Sequence, residues 1–183
     1  MLPITPVHIQ VPVVPFYSQF QDIDSLSWQK VGCGITSLAM IIDYYSTDTI
    51  NVNKLLTQGI VAGAYDHNAG WIHQGLISLS KQYGLTGNSY DLSSLTKDAA
   101  FTQFKKSLKD GPVMASIFYK FDPKSKIPHL VVIDGIEGDT IYYNDPASKS
   151  GKKEISSADF LKGWKKKFIV IRPDITKNKI ALG

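Results

Sequence analysis

Apolar positions in the first two thirds of the chain recur at helical spacing, whereas those in the last third fall into short β-branched and aromatic runs. In "CGITSLAMIIDYY", Leu38, Ile41, Ile42 and Tyr45 share one face, which predicts a buried helix over 33–45 starting near Cys33. "INVNKLLTQG" predicts a short helix capped by Asn51 or Asn53 and ended by Gly59. Apolar residues at 72, 76, 79 and 83 predict a third helix that stops at Gly84. "SLTKDAAFTQFKKSLKDGP" predicts a fourth, closed by Gly111 and Pro112. After this point "PVMASIFY", "HLVVIDGI", "TIYYND" and "KFIVIRP", separated by turn residues, predict strands. They are interrupted by "SSADFLKGW", a short helix with a serine cap and an acidic first turn. Residues 11–18, with Pro12 and Pro15, read as an extended edge segment.

Helices first and strands second predict an α+β fold of two segregated layers, an N-terminal helical half packed on a C-terminal antiparallel sheet. The cleft between the halves is the natural place for chemistry. A chain of 183 residues suits a single domain, here expected over 11–173 with an N-terminal extension at 1–10 and a tail at 174–183. No apolar run is long enough to cross a bilayer, and "MLPITPVHIQVPVVPF" lacks the parts of a secretory leader, so no membrane span or export signal is expected and the compartment stays open.

The single cysteine excludes an internal disulfide and a cysteine cluster for zinc, and no metal or cofactor is expected. The net charge of +4 concentrates in "KGWKKKF" and "SKSGKK". Arginine is scarce and no aromatic-basic array appears, so these runs read as solvated lysine faces and nucleic acid is not an expected partner.

The lone thiol changes the picture. Cys33 sits in the first turn of a predicted helix, where unpaired N–H groups and the helix dipole favour a thiolate. Gly32 and Gly34 on either side are read as leaving the backbone open to a substrate carbonyl, so that the Cys33 N–H forms half an oxyanion hole. Taken alone, a cysteine at a helix start is equally a small buried hydrophobe.

A thiol nucleophile needs a base and an orienting group. Of the four histidines, His8 lies in the terminus, His73 suits a half-exposed structural role, and His67 suits a local turn or a metal contact with Asp66. His129 opens a strand. If "EGD" (137–139) is a three-residue hairpin loop with Gly138 left-handed, Asp145 falls opposite Val131, diagonal to His129 and within reach of it. A two-residue loop would send the two to opposite faces. Read alone, Asp145 is a turn cap before Pro146.

Taken together, "VPFYSQ", "GCGITSLAMIIDYY", a glycine-tryptophan helix start, "DGPVMASI", "HLVVIDGI" and "YYNDP" resemble the papain-fold cysteine peptidases similar to bacteriocin-leader peptidases, in order from about residue 11 to 172. The resemblance implies a papain-like fold, a catalytic Cys33, His129 and Asp145, and an oxyanion-hole glutamine upstream of the cysteine. Members that process leaders cut after a double glycine and are usually fused to a transporter; no transporter segment is read in this sequence, so that substrate is not carried over as an expectation. The interval from Gln19 to Cys33 is longer than in those members. Gln19 is favoured as the donor because "VPFYSQ" resembles the family's glutamine segment and could hold the amide rigidly; Gln29 is the alternative, with Gln10 and Gln21 as outsiders.

The resulting expectation is a peptidase or amidase acting on a peptide or protein through an acyl-thioester on Cys33, with His129 as general base and Asp145 orienting it. Three alternatives stay open: an acyl transferase or crosslinking enzyme on the same triad, a non-catalytic binding domain of the same fold, and a basic nucleic-acid or envelope-binding module built on "KGWKKKF". The oligomeric state is unassigned.

Overall fold

A computed structural model describes residues 13–175. The expected extension at 1–10 with His8 and Gln10, the first two residues of the 11–18 segment, and tail residues 176–183 lie outside the described residues. In chain order the elements are α1 (Leu26–Gln29), α2 (Cys33–Tyr45), α3 (Val52–Val61), β1 (Tyr65–Asp66), β2 (Gly70–Trp71), α4 (His73–Ser80), β3 (Leu85–Asp91), α5 (Lys97–Leu108), β4 (Val113–Phe118), β5 (Pro128–Glu137), β6 (Thr140–Asn144), β7 (Lys153–Ser156), α6 (Ser157–Gly163) and β8 (Trp164–Pro173). Strands β3-β8-β4-β5-β6-β7 form one sheet in which every neighbouring pair is antiparallel.

The helix starts follow local chemistry. Asn51 caps α3 by accepting from the Lys54 N–H, Thr96 caps α5 through the Ala99 N–H, and Ser156 caps α6 through the Asp159 N–H. The single arginine, Arg172, donates to the carbonyls of Ser107, Gly111 and Pro112 and so satisfies groups at the end of α5 and in the turn after it.

Alternating residues along the sheet feed two cores. Met114, Leu130, Val132 and Ile169 pack with α2, α3 and α4, and residues 34–42 of α2 are all buried there. Val113, Ala115, Val131, Ile133 and Phe168 pack on the opposite face with Ala100, Phe104 and Leu108 of α5 and Phe160 of α6. Phe104 is fully buried, its ring centroid 4.9 Å from Trp164, 5.4 Å from Phe160 and 5.3 Å from Phe168. Each such side chain contributes about 1.5–3 kcal/mol by leaving water.

The class is α+β as expected, but the two layers become three because α5 and α6 cover the second face. Three further expectations need correction. The residue pattern predicts none of the strands β1, β2, β3 and β7. Gly59 does not end α3: it lies inside the helix against Trp71, where an added Cβ would stand 3.0 Å from that ring, and the left-handed residue after the helix is Gly63. The hairpin between β5 and β6 turns through two residues, Gly138 and Asp139, rather than three. Gly138 is left-handed, as expected.

Candidate active site

The two-residue turn alone would put His129 and Asp145 on opposite faces. A bulge corrects this. Pairing runs Glu137↔Thr140, Ile136↔Ile141 and Gly135↔Tyr142, then resumes at Ile133↔Tyr143 and Val132↔Asn144, leaving Asp134 outside the ladder. The shift of one restores the register that places residue 145 opposite 131. The bulged Asp134 carboxylate accepts both bonds of the Asn144 amide, at 3.1 and 3.3 Å, and burial pushes its pKa up to about 7. Asn144 immediately precedes Asp145, so the bulge also anchors the backbone beside the site.

The outcome is a buried pair: His129 Nε2 lies 2.6 Å from Asp145 Oδ1. The same carboxylate oxygen accepts the Ala147 N–H at 2.8 Å, so Asp145 caps its turn and holds the imidazole together. Tyr119 packs edge-on against the His129 ring at 5.2 Å. With Nε2 committed to Asp145, the ring's other nitrogen remains for a second partner, and Cys33, which lines the same cleft, acts on the ring's charge. Burial opposes a charge on His129, but the bond to Asp145 and the neighbouring Cys33 outweigh it and raise the pKa to about 9. For Asp145 burial pushes upward, and the bond and charge of His129 outweigh it, so its carboxyl is held below the usual range.

Cys33 is the first residue of α2 and is half-buried. The flanking glycines are not open to a substrate, as the sequence reading supposed. A Cβ on Gly34 would stand 2.5 Å from Trp71 Cγ, and one on Gly32 would stand 2.4 Å from Ile23 Cδ1 and 3.3 Å from Gln19 Cβ. Their smallness lets Trp71 and the Gln19 segment close on the helix start. Trp71 is fixed in turn by its Nε1–H, which donates to the Val31 carbonyl at 2.7 Å.

The glutamines separate. Gln19 is almost wholly buried and lines the cleft; its backbone N–H donates to Pro146 O at 2.8 Å and its Nε2 to Gln29 O at 2.7 Å, while Oε1 has no partner. One amide N–H of Gln19 is thus spent on orientation and a second remains. Gln29 donates its own amide to Ile23 O at 2.7 Å and does not line the cleft, and Gln21 is exposed away from it.

The cleft, about 650 Å³, is bordered by Gln19, Cys33, Trp71 and His129. His67 lines it with its ring edge-on to Tyr65, while Asp66 accepts the Asn68 and Ala69 N–H groups and is spent on its turn rather than on a metal. His73 also lines the cleft, its two ring nitrogens 3.1 Å from the Ser89 and Ser116 hydroxyls. Among the described residues no group of three or more potential metal ligands gathers, and no helix is long and apolar enough to cross a membrane. Sequence reasoning missed Tyr119 and the Ser116–His73 contact, for which the sequence carries no signal. It also missed that Lys165 and Lys167, in the noted basic run, line the cleft.

Residues 12–168 match the model of the Peptidase_C39 like family. The chain is 26% identical over 144 residues to a mesentericin transport/processing ATP-binding protein, MesD, of Leuconostoc mesenteroides; the match covers 79% of this chain but only 18% of that protein. Among solved structures, a double glycine motif protease from an AMS/PCAT transporter, in complex with the leader peptide, aligns at TM-score 0.61 with 22% identity, covering 94% of this chain and 100% of that one. A putative C39-like peptidase from Bacillus anthracis aligns at TM-score 0.62 with 20% identity, covering 88% and 95%. The peptidase domain of Streptococcus ComA aligns at TM-score 0.60 with 18% identity, covering 79% and 93%.

Proposed function

Since the chain belongs to the Peptidase_C39 like family, with the papain-like fold of those peptidase domains, we propose that it is a cysteine peptidase acting on a peptide or protein chain. The observation that carries this reading is the His129–Asp145 bond of 2.6 Å at the edge of the cleft that Cys33 also lines. A histidine that holds its proton to about pH 9 has the affinity to take the proton of a nearby thiol. Cys33 Sγ then attacks the scissile carbonyl, forming the C–S bond. The tetrahedral oxyanion takes hydrogen bonds from the Cys33 N–H and the remaining Gln19 amide N–H. His129 gives its proton to the leaving amine as the C–N bond breaks, then takes one from the water that hydrolyses the thioester. Asp145 holds the ring in place throughout. A peptide substrate accords with the solved relative that holds a leader peptide.

Mass analysis of a peptide library digested by the protein, beside a Cys33→Ala control, tests the reading. Cys33-dependent cleavage is expected; none, together with failure of an iodoacetamide probe to label Cys33 at neutral pH, would overturn it in favour of a binding domain.

Two predictions belong to this scheme. Gln19→Ala is expected to lower turnover about 10²–10³-fold at saturating substrate, the usual cost of an oxyanion donor, whereas Gln29→Ala disturbs only a loop contact; the reverse result would move the role to Gln29. The second concerns pH. kcat/KM is expected to fall as pH rises through about 9, where the imidazolium loses its proton. In Asp145→Asn the bond that raises His129 is weakened while burial still lowers it, so this alkaline limb moves toward neutrality. A limb that stays in place would detach Asp145 from the histidine's titration.

A further inference from the structure

Three lysines, Lys30, Lys165 and Lys167, line the cleft, and no aspartate or glutamate does so among the described residues. Lys167 shares its charge with Asp91, which lies 2.9 Å away outside the cleft. Lys165 has no ion-pair partner among the described residues; its ammonium lies 4.8 Å over the Phe118 ring. Burial, with Lys167 nearby, holds its pKa below the ordinary lysine range. An ammonium kept partly out of water without a counter-ion is costly, and an anion entering the cleft would relieve that cost.

Lys165 reaches this position through a built irregularity. Strands β4 and β8 pair Ser116↔Lys167 and then Ile117↔Trp164, which lifts Lys165 and Lys166 out of the ladder. Lys166 adopts a φ of 57°, a left-handed conformation uncommon outside glycine, and its ammonium is tied to the carbonyls of Ser93 and Leu95 at 2.6 Å each. Bulges held in this way commonly re-aim a side chain beside a site.

The sheet also sets the distance. Ile117 of β4 lies opposite His129 of β5, and β4 separates β5 from β8. Two strand spacings amount to roughly 10 Å, or about three residues of an extended peptide. The neighbouring His73 is held below its ordinary range by burial and by Lys167, so it adds no second charge at neutral pH.

We propose that the cleft selects peptides carrying an aspartate or glutamate within a few residues of the scissile bond, and that Lys165, backed by Lys167, reads that carboxylate. This inference rests on the peptidase reading for its scissile bond but makes a separate claim about recognition.

The experiment scans a cleaved library peptide with glutamate against glutamine at each position, measuring kcat and KM separately. At one position within about four residues of the cut, glutamate is expected to raise kcat/KM about fivefold, mainly through KM, and added salt to erode the gain. Lys165→Met should abolish the preference, and Lys165→Glu should turn it toward lysine at the same position. A flat scan, or a preference that both variants leave intact, would overturn the proposal. In parallel, fluorescein-labelled nonapeptide pools with one fixed glutamate or glutamine are bound to the Cys33→Ala protein and followed by anisotropy. A Lys165-dependent glutamate preference in binding, with no cleavage by the wild type, keeps the recognition and discards the peptidase. Cleavage without any preference does the opposite.

Discussion

Cys33→Ala protein is expected to show no detectable turnover while keeping its fold, with Tm shifted by no more than about a few degrees. The half-buried residue only begins α2, and the helix is anchored by the fully buried Ile35, Leu38, Met40 and Ile41, none of which the substitution touches. Losing one sulfur costs little packing, but it removes the single thiol of the chain, which lines the cleft beside His129. Stopped assays with product masses read the first part and a melting curve reads the second. Turnover equal to wild type would exclude an acyl-thioester on this residue.

His129→Ala is expected to be about as damaging to turnover as Cys33→Ala, and the double variant no worse than either single one, because the two act as a unit. Its structural cost is larger. Asp145 would be left buried without the partner at 2.6 Å, and a stranded group of this kind costs about 1–3 kcal/mol. His129→Gln keeps an amide donor for Asp145 and so separates the two effects: stability recovers while turnover stays lost. Activity surviving in both variants, measured on protein shown to be folded by its melting curve, would remove His129 from the chemistry. Linkage has a definite sign here. The raised His129 contributes stability that is full below the ordinary histidine pKa and is lost as pH rises through about 9, while the lowered Asp145 contributes stability that is lost on acidification.

Much of the architecture was legible because periodicity and capping carry it. The start of α2 at Cys33 and the cores of β4, β5, β6 and β8 stand where the residue pattern put them, and of the cap candidates the structure uses Asn51 rather than Asn53 and, of the two serines, Ser156. Strand β3, "LTGNSYD", was not legible: glycine, asparagine and serine give it little strand character, and it owes its conformation to seven pairings with β8, from Leu85↔Pro173 to Asp91↔Lys167. The meeting of His129 and Asp145 was foreseen by way of a turn that does not exist. The true turn is a residue shorter, and only the bulge at Asp134, which has no signature in "HLVVIDGI", returns the register. Gly32 and Gly34 were noticed for the wrong reason, since a sequence marks a missing Cβ without saying which neighbour fills its place.

Trp71 wedges against Gly34, borders the cleft, and lies 6.3 Å from Trp28. The third tryptophan, Trp164, is buried among the phenylalanines on the other side of the sheet. Indole emission responds to local polarity and to nearby quenchers, so a peptide entering the cleft changes the environment of one pair of fluorophores while the third serves as an internal reference. The protein thus carries its own optical gauge of occupancy, usable with the thiol removed and with no label on either partner.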